Sequence, residues 1–133
     1  MPARNGSQYL ERLRVHPKNL WIEGEKVEDV TGHRAFSGCA DSIASLYEMQ
    51  HDVDLSSKMT FNPGSGDKSE GLSFITPTSK EHLVQRGSMM LSWARFSGGV
   101  MARTPDYMNV ILMACSAASD FFGKDDKAFG QNI

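Results

Sequence analysis

The chain has 133 residues and a formal net charge of −2, with 14 Lys and Arg against 16 Asp and Glu. That length is one ordinary domain, able to bury roughly two thirds of its unfolded surface, and the scattered basic residues argue against a nucleic-acid or anionic-membrane partner. No apolar run approaches a membrane span, the first residues carry no signal-peptide pattern, and Cys39 and Cys115 fall in apolar helical patterns, as expected of buried free thiols in a cytoplasmic protein.

In chain order, residues 5–14 read as a short helix with Ser7 as candidate cap and Tyr9, Leu10 and Leu13 on its apolar side, ended by Pro17. Residues 20–30 form two alternating runs around Gly24, the pattern of a small β-hairpin whose Trp21 and Ile22 need something to pack on. Over 35–51 the apolar residues Phe36, Cys39, Ala40, Ile43, Ala44, Leu46, Tyr47 and Met49 recur at three and four, which predicts an amphipathic helix. His51, Asp52 and Asp54 follow it without partner ligands at metal spacing, so no metal is assigned.

Residues 55–78 read as a long irregular loop. Its Gly- and Ser-rich centre lacks the contiguous Gly-Lys-Ser/Thr of a phosphate-binding loop, because Asp67 separates Gly66 from Lys68. The stretch 72–75 reads as extended. Thr78 followed by Glu81 has capping-box spacing and opens a helix running to about Phe96, with Leu83, Met90, Leu91, Trp93 and Ala94 on its apolar side. Gly98 and Gly99 break it.

The stretch 98–109 concentrates chemistry. Thr104 suits an N-cap, Pro105 a first helical position, and Asp106 a place where the helix dipole favours negative charge. Arg103 then stands just before the helix and Tyr107 on its first turn, where a guanidinium, a phenol and free backbone N–H groups can converge on one anionic oxygen. The helix is expected over 105–122, ending at Gly123. Residues 110–115 are apolar in succession, more than one full turn, which implies a helix covered on several sides by protein that this chain does not contain. The polar, Gly-containing residues 124–133 read as the start of a linker.

Four stretches carry a resemblance: Ser-Gln-Tyr-Leu-Glu-Arg-Leu-Arg at 7–14, Trp-Ile-Glu-Gly-Glu-Lys-Val-Glu-Asp-Val-Thr at 21–31, Ser-Leu-Tyr-Glu-Met-Gln-His-Asp at 45–52, and Arg-Thr-Pro-Asp-Tyr-Met-Asn at 103–109. In this order they resemble the N-terminal domain of the oxygenase component of the 4-hydroxyphenylacetate 3-monooxygenase family. The resemblance implies a mainly α fold, an N-terminal helical domain over 1–123 and a linker over 124–133. Beyond the linker it implies a central β domain and a C-terminal helical bundle, as in acyl-CoA dehydrogenases. It implies ortho-hydroxylation of a phenol with O2 and reduced FAD delivered by a separate flavin reductase, in a cytoplasmic homotetramer. It places catalytic and substrate-binding roles on Arg103 and Tyr107. A third substrate-side residue, a histidine, and most flavin contacts fall outside this chain, so the chain alone is expected to be inactive.

Two other readings stay open. The dehydratase branch of the same superfamily, acting on 4-hydroxybutyryl-CoA with FAD and an iron–sulfur cluster, takes cluster cysteines from the region equivalent to 98–107. No cysteine occurs between Cys39 and Cys115, and cluster ligation needs thiolates, which disfavours it. The other reading is a non-enzymatic helical interaction domain whose apolar last helix docks a partner.

Overall fold

The computed structural model describes residues 3–64, 69–99, 104–125 and 127–131. It is mainly helical, and its contacts divide it into two units, Met1–Ser69 and Glu70–Ile133.

In the first unit, helix α1 (Gly6–Val15) begins at Asn5, whose carboxamide accepts from the Gln8 N–H while the Gln8 side chain accepts from the Asn5 N–H. This reciprocal cap satisfies two donors that would otherwise be orphaned. Asn5, not Ser7, is therefore the cap; the Ser7 hydroxyl donates to Asn5 Oδ1. Strands β1 (Trp21–Ile22) and β2 (Glu25–Lys26) pair antiparallel, Trp21 opposite Lys26 and Ile22 opposite Glu25. Glu23 and Gly24 both have positive φ, 52° and 84°, the signature of the primed two-residue turn that matches strand twist. Trp21 is exposed, contrary to the expectation that it packs, and Val27 is the buried residue beside the hairpin.

Helix α2 (Ser37–Glu48) buries Ala40, Ala44 and Leu46. It lies against α1 at van der Waals distance. A Cβ on Gly6 would stand 2.5 Å from the Ala44 carbonyl oxygen, the Gly6 N–H donates to Glu48 Oε1 at 2.8 Å, and the Tyr9 and Tyr47 rings stack with centroids 5.0 Å apart. Cys39 is exposed and Cys115 half-buried, so the expected burial of both thiols does not hold; Cys39 lies one position off the Ala40–Ala44 stripe. After α2, Asp52 accepts from the N–H groups of Asp54 and Leu55, a local turn that uses the carboxylate. Short helix α3 (Ser56–Met59) and strand β3 (Thr60–Phe61) follow.

The expected loop is thus more ordered than its composition implies. In the second unit, strand β4 (Glu70–Gly71) leads into a 3-10 turn, Leu72–Phe74, in which Leu72 and Ser73 are buried. This corrects the extended reading of 72–75. The turn packs under two longer helices and keeps its local bond, the Ile75 N–H donating to the Leu72 carbonyl. Residues 65–68 of the Gly-rich centre lie outside the described residues.

Helix α4 (Lys80–Phe96) is capped by Ser79, whose hydroxyl accepts from the His82 N–H, one residue later than expected. It ends where Gly98 and Gly99 take φ of 62° and 89°, backbone that glycine adopts without steric cost. Its buried residues are Arg86, Met89 and Trp93, while Leu83 and Leu91 are exposed. The inward face is therefore built around an arginine. Helix α5 (Thr104–Ala117) stops five residues early; Ala118 leaves helical geometry and α6 (Ser119–Phe122) begins. Within the stretch read as linker, α7 (Lys127–Gln131) is helical and lies on α6, where a Cβ on Gly130 would come 2.6 Å from the Ser119 carbonyl oxygen. The chain folds back between the two helices at Gly123, whose Cα a Gly130 Cβ would approach to 3.1 Å.

Candidate functional site

The first turn of α5 was singled out for Arg103, Asp106 and Tyr107. Arg103 lies outside the described residues. The structure places Asp106 inside the second unit, only 2 % exposed, and not at the helix surface where a dipole interaction alone would leave it.

Asp106 Oδ2 accepts from Arg86 Nη2 at 2.7 Å, and Asp106 Oδ1 accepts from the Ser73 hydroxyl in a short bond. The other arm of the guanidinium, Nη1, donates to the Ser73 carbonyl at 2.7 Å and the Leu72 carbonyl at 3.4 Å. Ser73 Oγ in turn accepts from Asn109 Nδ2 at 2.9 Å. Four side chains from three elements thus form one buried network. Arg86 comes from the inward face of α4, Ser73 from the 3-10 turn, and Asp106 and Asn109 from one face of α5, three residues apart. A buried ion pair keeps its charge only when further hydrogen bonds satisfy both partners, which the Ser73 hydroxyl and the two carbonyls do here.

Sequence reasoning missed Arg86 and Ser73. Arg86 was not among the residues singled out over 78–96, and Ser73 lay in the stretch read as extended. The available signal was negative: with Arg86 excluded, the apolar residues of α4 do not form one clean stripe, and Leu83 and Leu91 are exposed on the structure.

Helix α5 is inverted with respect to burial. Among its described side chains Asp106 alone is buried, while Tyr107, Met108, Ile111 and Leu112 are exposed. The apolar run at 110–115 therefore faces outward in this chain. Apolar surface of this kind normally marks a place that another body covers. Tyr107 stands at the N-terminal end of that face, 50 % exposed.

Residues 5–133 match the family described as "4-hydroxyphenylacetate 3-hydroxylase N terminal". The chain belongs to this family. It is 41% identical over 131 residues to the 4-hydroxyphenylacetate 3-monooxygenase oxygenase component of Thermus thermophilus, covering 98% of this chain and 26% of that one. The oxygenase component from a Geobacillus species is 41% identical over 132 residues, covering 99% and 26%. Among solved structures, an oxygenase component complexed with FAD and 4-hydroxyphenylacetate superposes with a TM-score of 0.88 at 41% identity, over 98% of this chain and 27% of the other. The chain thus spans about a quarter of the length of the curated relatives it matches.

A dinucleotide needs cations or helix N-termini for its phosphates and an enclosing slot for its ring. The buried cation Arg86 is already committed to Asp106, Ser73 and Leu72. A shallow depression of about 600 Å³ along α1 is walled by that helix and its end alone, from Ser7 to His16.

Proposed function

We propose that this chain is the N-terminal, substrate-side domain of a two-component flavin-dependent monooxygenase. The whole enzyme ortho-hydroxylates a phenol such as 4-hydroxyphenylacetate. Family membership over residues 5–133 supports this, as does the structural relative complexed with FAD and 4-hydroxyphenylacetate. The observation that carries it is the Arg103–Tyr107 stretch, lying within that match, with Tyr107 presented on an exposed apolar helix face.

On this reading Arg103 and Tyr107 donate hydrogen bonds to the phenolic oxygen. A fixed cation and a phenol O–H aimed at that atom favour its phenolate-like form, which raises electron density at the ortho carbon. The apolar residues beside Tyr107 exclude water from the ring. Reduced FAD, brought by a separate reductase, supplies the electrons that activate O2; no step at the flavin is assigned to residues of this chain. The domain extends over 1–123, with 124–133 leading to a central β domain in an acyl-CoA-dehydrogenase-like arrangement that covers the exposed face of α5. The assembly is a cytoplasmic homotetramer. Among the described residues no helix is long and apolar enough to cross a membrane.

The test is turnover by the full-length polypeptide with 4-hydroxyphenylacetate, O2 and reduced FAD, with products separated by chromatography. The ortho-catechol is expected. Reoxidation of the flavin to give hydrogen peroxide alone, across a panel of para-substituted phenols, refutes the reading. The exposed apolar face of α5 also favours a second reading, a non-enzymatic interaction domain; it requires a native protein without bound flavin or turnover.

A further inference from the structure

We infer that Arg86 and Ser73 are positioning residues that set the direction of Tyr107, acting through Asp106; the consequence for catalysis rests on the role proposed above for Tyr107. Within this chain helix α5 has little apolar packing to fix its rotation, since Asp106 is its sole buried side chain among those described, and the cover proposed above for its apolar face adds contacts without direction. A helix held by apolar contacts can roll or slide at little cost, because those contacts have no direction. Here the grip is directional. Asp106 and Asn109, three residues apart on one face, both bond Ser73 Oγ, and Arg86 bonds the Asp106 carboxylate with one arm and the Ser73 backbone with the other.

Two points of attachment along one helix face fix rotation about the axis; one would not. Tyr107 follows Asp106 by one residue, about 100° around the helix, so turning Asp106 inward turns Tyr107 outward. The network therefore translates the position of α4 and the 3-10 turn into the direction of a phenol hydroxyl. Packing alone would fill the same volume without specifying that direction. This separates a positioning role from mere stability, for which a buried ion pair is a poor device.

The test uses the full-length protein carrying a ring-fluorinated tyrosine at position 107, with Arg86→Lys and Ser73→Ala made separately. Lys keeps the charge and loses the planar fork; Ala keeps the backbone carbonyl and loses the hydroxyl shared by Asp106 and Asn109. Fluorine NMR is expected to show one sharp resonance in the parent and a shifted or broadened one in each variant. Hydroxylation is expected to fall about tenfold in Arg86→Lys, and less than about twofold further when the same change is made in a Tyr107→Phe background. An unchanged fluorine resonance in both variants overturns the proposal whatever the activity. Equal losses in the parent and Tyr107→Phe backgrounds also overturn it, because a general structural defect adds where a positioning effect does not. A moved resonance with a fully active Tyr107→Phe enzyme leaves the positioning standing and refutes instead the catalytic role of Tyr107. Should Arg86→Lys not fold, Ser73→Ala, which removes only a neutral hydroxyl, carries both readouts.

Discussion

Asp106→Asn isolates what the buried ion pair contributes. The amide has the shape of the carboxylate but no charge, and it is placed where Arg86 is 7 % and Asp106 2 % exposed. Its oxygen can still accept from Arg86 Nη2, now 2.7 Å from Asp106 Oδ2, which turns its NH2 toward Ser73 Oγ. Ser73 Oγ already accepts from Asn109, so it then faces two donors and its own O–H loses its acceptor. Arg86 meanwhile keeps a buried charge with no counter-charge in the network. Removing one partner of such a pair costs about 3–5 kcal/mol, and the retained amide oxygen places this case near 3 kcal/mol. For a chain of this size each kcal/mol lowers Tm by about 3–4 °C, so a fall of roughly 10 °C is expected. Thermal and urea unfolding followed by far-ultraviolet circular dichroism measure it. Because the pair is dry, the loss should be nearly the same at low and high salt. Adding Arg86→Met to Asp106→Asn removes the stranded charge and should recover at least about 1 kcal/mol of the single variant's loss. A single variant within about 0.5 kcal/mol of the parent refutes the reasoning, since it means water or rearrangement already compensates Arg86.

Three further outcomes are expected. Gly6→Ala forces a Cβ to within 2.5 Å of the Ala44 carbonyl oxygen, and backbone cannot move aside as a side chain does, so urea unfolding should show a loss of about 1–3 kcal/mol; no loss means α1 and α2 are farther apart in solution. Burial, with the nearby Tyr47 and Cys39 as smaller causes, raises the Tyr9 phenol above its ordinary value of 10.0. A raised folded pKa leaves stability whole below the ordinary value and removes it as pH rises through the raised one; Tyr9→Phe should flatten that alkaline limb in unfolding measured against pH, and an unchanged limb counts against the assignment. In the full-length protein, Arg103→Ala should lower hydroxylation roughly 30- to 1,000-fold, about 2–4 kcal/mol, with milder loss in Tyr107→Phe. Oxygen consumption should then run ahead of catechol formed, and wild-type rate with full coupling in both variants would remove these residues from the site.

Local chemistry determined the longer elements and the first hairpin. The three- and four-residue recurrence over 35–51 and the glycines at 98 and 99 each state their geometry in neighbouring residues, and α2 and the end of α4 lie where those signals put them. Gly24 likewise marks the hairpin, with Glu23 completing its turn. The family was legible for the same reason: its motifs are short contiguous stretches, and Arg103 and Tyr107 belong to one of them. The apolar run at 110–115 already indicated a helix made to be covered, and its residues are largely exposed in this chain.

What only the tertiary structure decided concerns pairs of residues far apart in sequence. Asp106 carries the same local signal whether it serves the helix dipole or an arginine twenty residues away. Ser73 looks like loop until burial under α4 and α5 makes its hydroxyl the meeting point of Asp106 and Asn109. The break at Ala118 and the packing of Gly130 on Ser119 are announced by no feature of residues 105–122. Periodicity reports which face of a helix is apolar; it does not report that a helix can turn its one acid inward and its apolar residues outward. That choice is made by the partner, Arg86, because a buried charge admits few solutions and a carboxylate at hydrogen-bond distance is one of them.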